Sequence, residues 1–349
     1  LTLTVAMLGS LLAGCGSSGG GSAPKADATA AAAPAGGGTE EVTTPDKVLK
    51  FTDQNAEDSP AGMWEQKFAD LVKEYTKGHI EVELYFNNTL CGYDIQPLQA
   101  GICDFIQYVP SSAGDLDSRL GAFDAPYIYR DADHRLAVFD PFNSEPLKVI
   151  NEALKDDGVM LLSSFNSGYR QITCNFPIRN LSDMKGAKIR VVPSDLYQQL
   201  FTAFGAAATP MAFSEVPTAL ITNVIDGQEN PYSVIVSSAL YEVQKYCMET
   251  NHLPTNHGLW MNRNTYESLT PEQQEAVLKA AYDASAYMDK YILDKVEEYK
   301  KICEDNGMEI IDAENGLDID GFKAAAENVY DYFAEDWGDM PDLIRAVQP

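Results

Sequence analysis

The sequence predicts an α/β fold of mostly parallel sheets, arranged as two units. Three observations carry this. Strand and helix patterns alternate between residues 48 and 109, the alternation restarts after residue 159 with no low-complexity break, and an unusually long helical pattern begins at Thr270.

In chain order, Val48-Leu49-Lys50-Phe51 reads as the first strand. Trp64, Phe68, Leu71, Val72 and Tyr75 then recur at helical spacing, and Gly78 marks the stop. Ile80, Val82, Leu84 and Phe86 alternate with Glu81, Glu83 and Tyr85, as a strand with one polar face would. A short helix over 95–100 leads to a strand over 104–109, completing βαβαβ. The second unit opens with strands over 159–165, 169–175 and 188–192 and a helix over 195–204. Its join to the first, Asn166-Ser167-Gly168, reads as a hinge rather than a linker between independent domains. Residues 209–252 hold two helical patterns around Asp226-Gly227-Gln228-Glu229-Asn230-Pro231, where Asn230 reads as an N-cap and Pro231 as the first helical residue. Residues 259–262 read as a strand. Thr270-Pro271-Glu272-Gln273 then forms a capping box, and apolar residues keep helical period to Cys303. At 1.5 Å per residue that helix is about 50 Å long, more than the width of one small domain. An amphipathic helix over 318–337 closes the chain.

Composition excludes several partners. The net charge of −27, from 52 acidic and 25 basic residues, opposes nucleic acid and electrostatic docking on anionic lipid. An acidic ligand would therefore need a local basic pocket. Residues 1–14 read as an export signal, apolar and too short to span a bilayer. Leu12-Ala13-Gly14-Cys15 resembles a bacterial lipobox, with Cys15 as the lipidated residue, and residues 15–44 read as a flexible Gly/Ser/Ala tether. The membrane is then met through the lipid anchor alone. Cys91, Cys103, Cys174, Cys247 and Cys303 are odd in number and show no disulfide framework, so isolated core thiols are expected, with a Cys91–Cys103 bridge as the alternative.

Catalytic motifs are missing from residues 45–349: there is no GxSxG, GxGxxG, P-loop, HExxH or CxxC. His252 and His257 are not spaced for one helical face, and the acidic run at Asp312 lacks the glycine of a calcium loop. His134 reads as a surface or capping histidine rather than a metal ligand. No cofactor and no enzymatic activity are expected. Two arginines stand out instead, Arg170 and Arg190, each inside a strand pattern among apolar neighbours. A buried arginine needs an anion, and that anion is either an internal Asp or Glu or the carboxylate of a ligand.

The motifs Thr209-Pro210-Met211-Ala212-Phe213-Ser214-Glu215-Val216, DGQENP at 226–231 and Leu240-Tyr241-Glu242-Val243-Gln244-Lys245-Tyr246 occur here in order and spacing. Together with Pro126-Tyr127-Ile128-Tyr129-Arg130-Asp131 and His134, they resemble the DctP-type substrate-binding proteins of TRAP (tripartite ATP-independent periplasmic) transporters. The resemblance covers residues 48–311 and is strongest over 169–251. It implies a two-lobed, periplasmic-binding-protein-like fold with a cleft and a long helix crossing both lobes. The expected lobes are 45–167 plus 254–292, and 168–253 plus 293–349. It implies a solute-binding protein, held outside the cell membrane, that captures a small organic acid and delivers it to TRAP permease subunits. The alternative is a sensor subunit signalling to a receptor. By the same resemblance Arg190 is the main carboxylate clamp, Arg170 and Asn230 assist it, and Phe213 touches the ligand.

In the first lobe Gln54, Asn55, Tyr108 and Ser111 occupy the strand ends where ligands of open α/β sheets bind. There Thr89-Leu90-Cys91-Gly92-Tyr93 departs from the family's LGGDRE-like run, and 107–111 lacks the acidic residue of some sialic-acid binders. An acidic sugar (uronate or sialic acid) and a C4-dicarboxylate are the leading ligands. The lipobox carries its own test: Cys15→Ala should yield protein that no longer sediments with membranes. Persistent tight membrane association of that variant would rule out the anchor.

Overall fold

The computed structural model describes residues 44–349; the expected signal, tether and Cys15 lie outside the described residues. Two mixed sheets organise the chain. The first contains β1 (Lys47–Thr52), β2 (Ile80–Tyr85), β3 (Phe105–Tyr108), β4 (Val159–Asn166) and a strand entered much later. The second contains β5 (Arg170–Cys174), β6 (Lys188–Val191), β7 (Ala207–Pro210), β8 (Gly227–Pro231) and β9 (Tyr246–Met248). The chain then returns to the first sheet as β10 (Asn256–Asn262), and β11 (Glu309–Ile311) completes the second. The orders are β2-β1-β3-β10-β4 and β11-β9-β5-β8-β6-β7.

Most strands are parallel, and the exceptions have one cause. β10 runs antiparallel to β3 and β4, and β5 runs antiparallel to β8 and β9. These are the two strands that the chain enters directly from the other sheet. Each starts at the edge where its predecessor ended, so each must run away from that edge. Residues 167–169 and 249–255 make the two crossings, and both sheets present the same crossover edge to them.

Local signals set the helices. Ser59 caps the helix Pro60–Tyr75 by accepting from the Gly62 N–H, and the helix buries Trp64, Phe68, Leu71 and Val72. Around Phe51 these form a cluster with Phe105, Phe165, Leu259 and Met261. Each fully buried large side chain contributes about 1.5–3 kcal/mol. The long helix Pro271–Asp305 keeps the expected capping box, with Thr270 and Gln273 exchanging hydrogen bonds. Its face of Ala276, Val277, Ala280, Ala281, Ala284 and Met288 is small enough to lie close on β4 and on the first helix. Farther along it packs on the helix Tyr232–Ser237 and on β11, so it crosses from one sheet to the other.

Three departures from expectation have physical reasons. The DGQENP segment is no loop: Gly227–Pro231 is a fully buried strand, antiparallel to β5 and parallel to β6. Gly227 makes this possible, since a Cβ there would stand 2.2 Å from the Thr173 carbonyl oxygen. Asn230 is therefore no N-cap; the next helix starts at Tyr232 with Pro231 before it. His134 is neither a surface residue nor the cap; Asp131 caps that helix, and His134 is fully buried. The terminal helix is broken into Ile319–Tyr332, Ala334–Trp337 and Met340–Ala346. The last two pack on residues 118–124, and the last also on the helix Glu145–Ala153. We propose that these final helices move with the first lobe rather than the second.

A buried ion pair ties the crossover together. Arg135 donates from Nη1 to Asp289 Oδ2 on the long helix (2.6 Å), from Nε to Asn256 on β10 (2.7 Å) and from Nη2 to Ser164 on β4 (3.0 Å). Asp289 also accepts from the Asn166 N–H at 2.7 Å. The five cysteines among the described residues are free thiols, four of them buried. Near the end of the chain Arg130 donates to the carbonyls of Arg345 and Val347, and His134 Nε2 donates to that of Ile344.

Three histidines are held neutral. Burial lowers the His134 and His252 values below the usual 6.5, against the pull of the Ile344 carbonyl and of Glu229 respectively. Burial takes His257 to about 4, with Asp53 opposing. An unfolded chain binds more protons at these rings around and below pH 6.5 than the folded one, so their contribution to stability falls as the pH drops through that value. The slope reaches about 1.4 kcal/mol per pH unit for each histidine that must charge on unfolding. Glu65, Asp124 and Asp289 carry raised values and work in the opposite sense, so the histidine contribution is read by comparison: from pH 7 to pH 5 the denaturant midpoint should fall more steeply for the parent than for His257→Gln, and equal slopes would show that this ring has the same value folded and unfolded.

Candidate functional site

Strand alternation places the first key residue. On β6, Ile189 and Val191 enter the core, so Arg190 lies on the opposite face at the crossover edge. The residue is 3 % exposed. Nε and Nη2 donate to the Met211 carbonyl at 2.9 and 2.7 Å, and the group sits 5.6 Å from the Phe213 ring centre. No Asp or Glu pairs with it among the described residues. Burial lowers its pKa, and Glu229 only partly offsets this.

Arg170, at the start of β5, has the opposite environment. Nε and Nη2 grip both carboxylate oxygens of Glu229, and Nη2 also reaches Asn230 Oδ1 at 3.0 Å. Burial works against the Arg170 charge, but the Glu229 carboxylate raises its pKa overall. Burial likewise works against Glu229, and Arg170 first, then His252, keep it below the ordinary carboxylate range. His252 Nε2 approaches Glu229 at 3.4 Å while its Nδ1 faces the Thr250 hydroxyl at 2.8 Å. The Tyr197 ring covers Arg170 at 5.3 Å.

Asn230 belongs to this internal network at both ends. Oδ1 accepts from Arg170, and Nδ2 donates to Gln228 Oε1 at 2.5 Å. Gln228 continues to Thr173, and Thr173 to Gln244. Phe213 is 38 % exposed and forms an open aromatic wall beside Arg190.

At the edge of the first sheet the expected residues differ in setting. Gln54 is exposed and makes no side-chain hydrogen bond among the described residues. Asn55 donates from Nδ2 to both oxygens of buried Asp53, at 2.9 and 3.0 Å. Tyr108 packs on Tyr93 with ring centres 4.7 Å apart. The Ser111 N–H donates to Asp124 at 2.8 Å. Thus Arg190, Phe213, Arg170 and Asn230 come together on one edge, and Asn55, Tyr108 and Ser111 lie on the other. Sequence reasoning missed Glu229 as the partner of Arg170. Its signal was present, since it is the one acid between Gln228 and Asn230 in a segment that turned out to be a buried strand.

Comparison with known proteins gives a consistent picture. The model of the family described as bacterial extracellular solute-binding protein, family 7 (DctP) matches residues 51–336. The 2,3-diketo-L-gulonate-binding periplasmic protein of Escherichia coli K12 is 30% identical over 303 residues, covering 86% of this chain and 90% of that protein. A C4-dicarboxylate-binding periplasmic protein of Rhodobacter capsulatus is 29% identical over 263 residues, 74% of this chain and 78% of its own. A TRAP periplasmic solute-binding protein of Rhodobacter sphaeroides, solved in an apo open state, superposes with a TM-score of 0.79 at 29% identity, covering 86% of this chain and 99% of that one. One from Xanthobacter autotrophicus Py2 with bound β-D-galacturonate gives 0.72, also at 29% identity, covering 86% and 100%. The two-domain α/β architecture is that of TRAP solute-binding proteins.

The two arginines should respond differently to truncation of their surroundings. Glu229→Ala leaves Arg170 buried without its anion and should cost about 3–5 kcal/mol in chemical denaturation. Arg190→Ala strands only a carbonyl and relieves an unpaired charge, so it should cost no more than about 1 kcal/mol. Equal losses in the two variants would mean that Arg190 has an internal partner in solution.

Proposed function

We propose that this chain, which belongs to bacterial extracellular solute-binding protein family 7, is the exported, ligand-capturing subunit of a TRAP transporter. It takes a small organic acid by its carboxylate on Arg190 and delivers it to membrane permease subunits. In the lipoprotein reading, Cys15 holds it at the outer face of the membrane.

One observation carries the reading. Of the three arginines buried among the described residues, Arg135 and Arg170 have carboxylate partners there and Arg190 has none. Met211 occupies the Nε/Nη2 side of its guanidinium, which leaves the Nη1/Nη2 end for two parallel bonds to one carboxylate. In a site closed to water such bonds are worth about 1.5–3 kcal/mol each. Arg170 and Asn230 support the clamp as a frame, since their polar atoms are mostly spent on Glu229 and Gln228. The acids named for the relatives, among them galacturonate and C4-dicarboxylates, define the range of ligands to try. Binding across the two edges would draw them together about residues 167–169 and 249–255, with the long helix spanning both.

A thermal-shift screen of D-galacturonate, D-glucuronate, L-galactonate and succinate, after unfolding and refolding to remove carried ligand, should find a binder. For that acid, calorimetry on Arg190→Ala should show affinity lower by about a hundredfold to several thousandfold. Arg190→Lys keeps the charge without the fork and should recover only part. An alanine variant within about threefold of the parent would move the clamp elsewhere.

A further inference from the structure

The edge of the first sheet carries polar groups that the clamp does not use. Phe51, Phe105, Leu259 and Met261 point beneath the first helix. By strand alternation Asp53, Gln107 and His257 extend from that same face, where β1 and β3 end and β10 begins. Glu65 meets them from the helix. It is fully buried, and neither of its carboxyl oxygens has a hydrogen-bond donor among the described residues. Gln107 Oε1 and His257 Nδ1 are also buried and unpartnered. The His257 Nε2 contact with Ser167 Oγ, 3.0 Å, ties the group to the crossing between the sheets.

Unmet acceptors in a buried place call for donors. Burial first, and then the neighbouring Asp53 carboxylate, raise the Glu65 pKa well above the ordinary range. Lone pairs are therefore in excess among Glu65, Gln107 and His257. On the same helix Trp64 Nε1 is the one unpartnered donor. A second ligand carboxylate would meet a carboxylate here and lose its hydration for nothing. Hydroxyl groups would donate to each free oxygen.

Resting on Arg190 as the carboxylate end of the site, we propose that Asp53, Glu65, Gln107 and His257 form its other half, an acceptor-rich pocket. This half selects polyhydroxylated monocarboxylates, the uronates and aldonates, over C4-dicarboxylates.

Calorimetry with D-galacturonate, L-galactonate and succinate tests it on the parent and on Glu65→Gln, which is isosteric but replaces an acceptor with a donor. The parent should bind at least one sugar acid about tenfold or more tighter than succinate. Glu65→Gln should weaken that sugar acid about tenfold and leave succinate unchanged or stronger. Tighter binding of succinate by the parent overturns the pocket, as does failure of both sugar acids to bind. An equal loss for every ligand in the variant does so too. The parent's own preference decides the matter if the variant fails to fold. Arg190→Ala run beside it separates the two readings. If it abolishes all binding while Glu65→Gln changes nothing, the clamp stands and the pocket falls. If sugar-acid binding survives it, the clamp falls.

Discussion

The pair of Arg135 and Asp289 is the contact on which the two-sheet arrangement depends. Four elements converge on it: the helix bearing Arg135, strands β4 and β10, and the long helix bearing Asp289. Neither ion could be buried alone, because desolvating a single charge costs several kcal/mol. Together they fix the long helix to the last residue of β4, where the chain leaves the first sheet. The crossing at 167–169 is thus anchored at its first-sheet end, and the Ser167 and Arg170 N–H groups tie it to Thr255 and Leu253 of the second crossing. Gly168 suits that place, with φ at +123° and Pro231 packed so close that a Cβ would meet it at 3.1 Å.

The same electrostatic logic divides the arginines. Arg135 and Arg170 are answered from within the protein, while Arg190 is buried with only a carbonyl and an aromatic ring for company. A chain of net charge −27 that buries an arginine with no anion among the described residues keeps a local field of opposite sign to its average surface. Across the crossover edge the surplus reverses, with oxygen acceptors outnumbering donors around Glu65. The molecule therefore offers two ends of unlike polarity rather than a uniformly basic hollow.

Much of this was legible from the sequence. Alternation and helical period located β1 to β6 and the long helix to within a residue or two, because those elements announce themselves over short windows. β8 was not legible. Its six-residue neighbourhood is polar and contains proline, and it becomes a strand only because β5 and β6 flank it and Gly227 removes a clash. Arg170 and Arg190 looked alike for a related reason. What separates them is a glutamate 59 positions away in one case and no acid in the other, and local pattern carries no information about that. Asp53 and Glu65 escaped notice, and His257 was weighed only as a metal ligand, because each is unremarkable within its own element and acquires meaning only where three elements meet.

The grip of Arg130 and His134 on the carbonyls of residues 344, 345 and 347 bears on how the molecule comes into being. His134 waits for a partner 210 positions downstream. The segment around Tyr129 is sealed only once residues 344–347 have supplied those carbonyls, so its closure is one of the most distant contacts in the sequence and belongs among the late events of folding. Loss of residues 340–347 would therefore open a place that lies two hundred positions earlier in the chain.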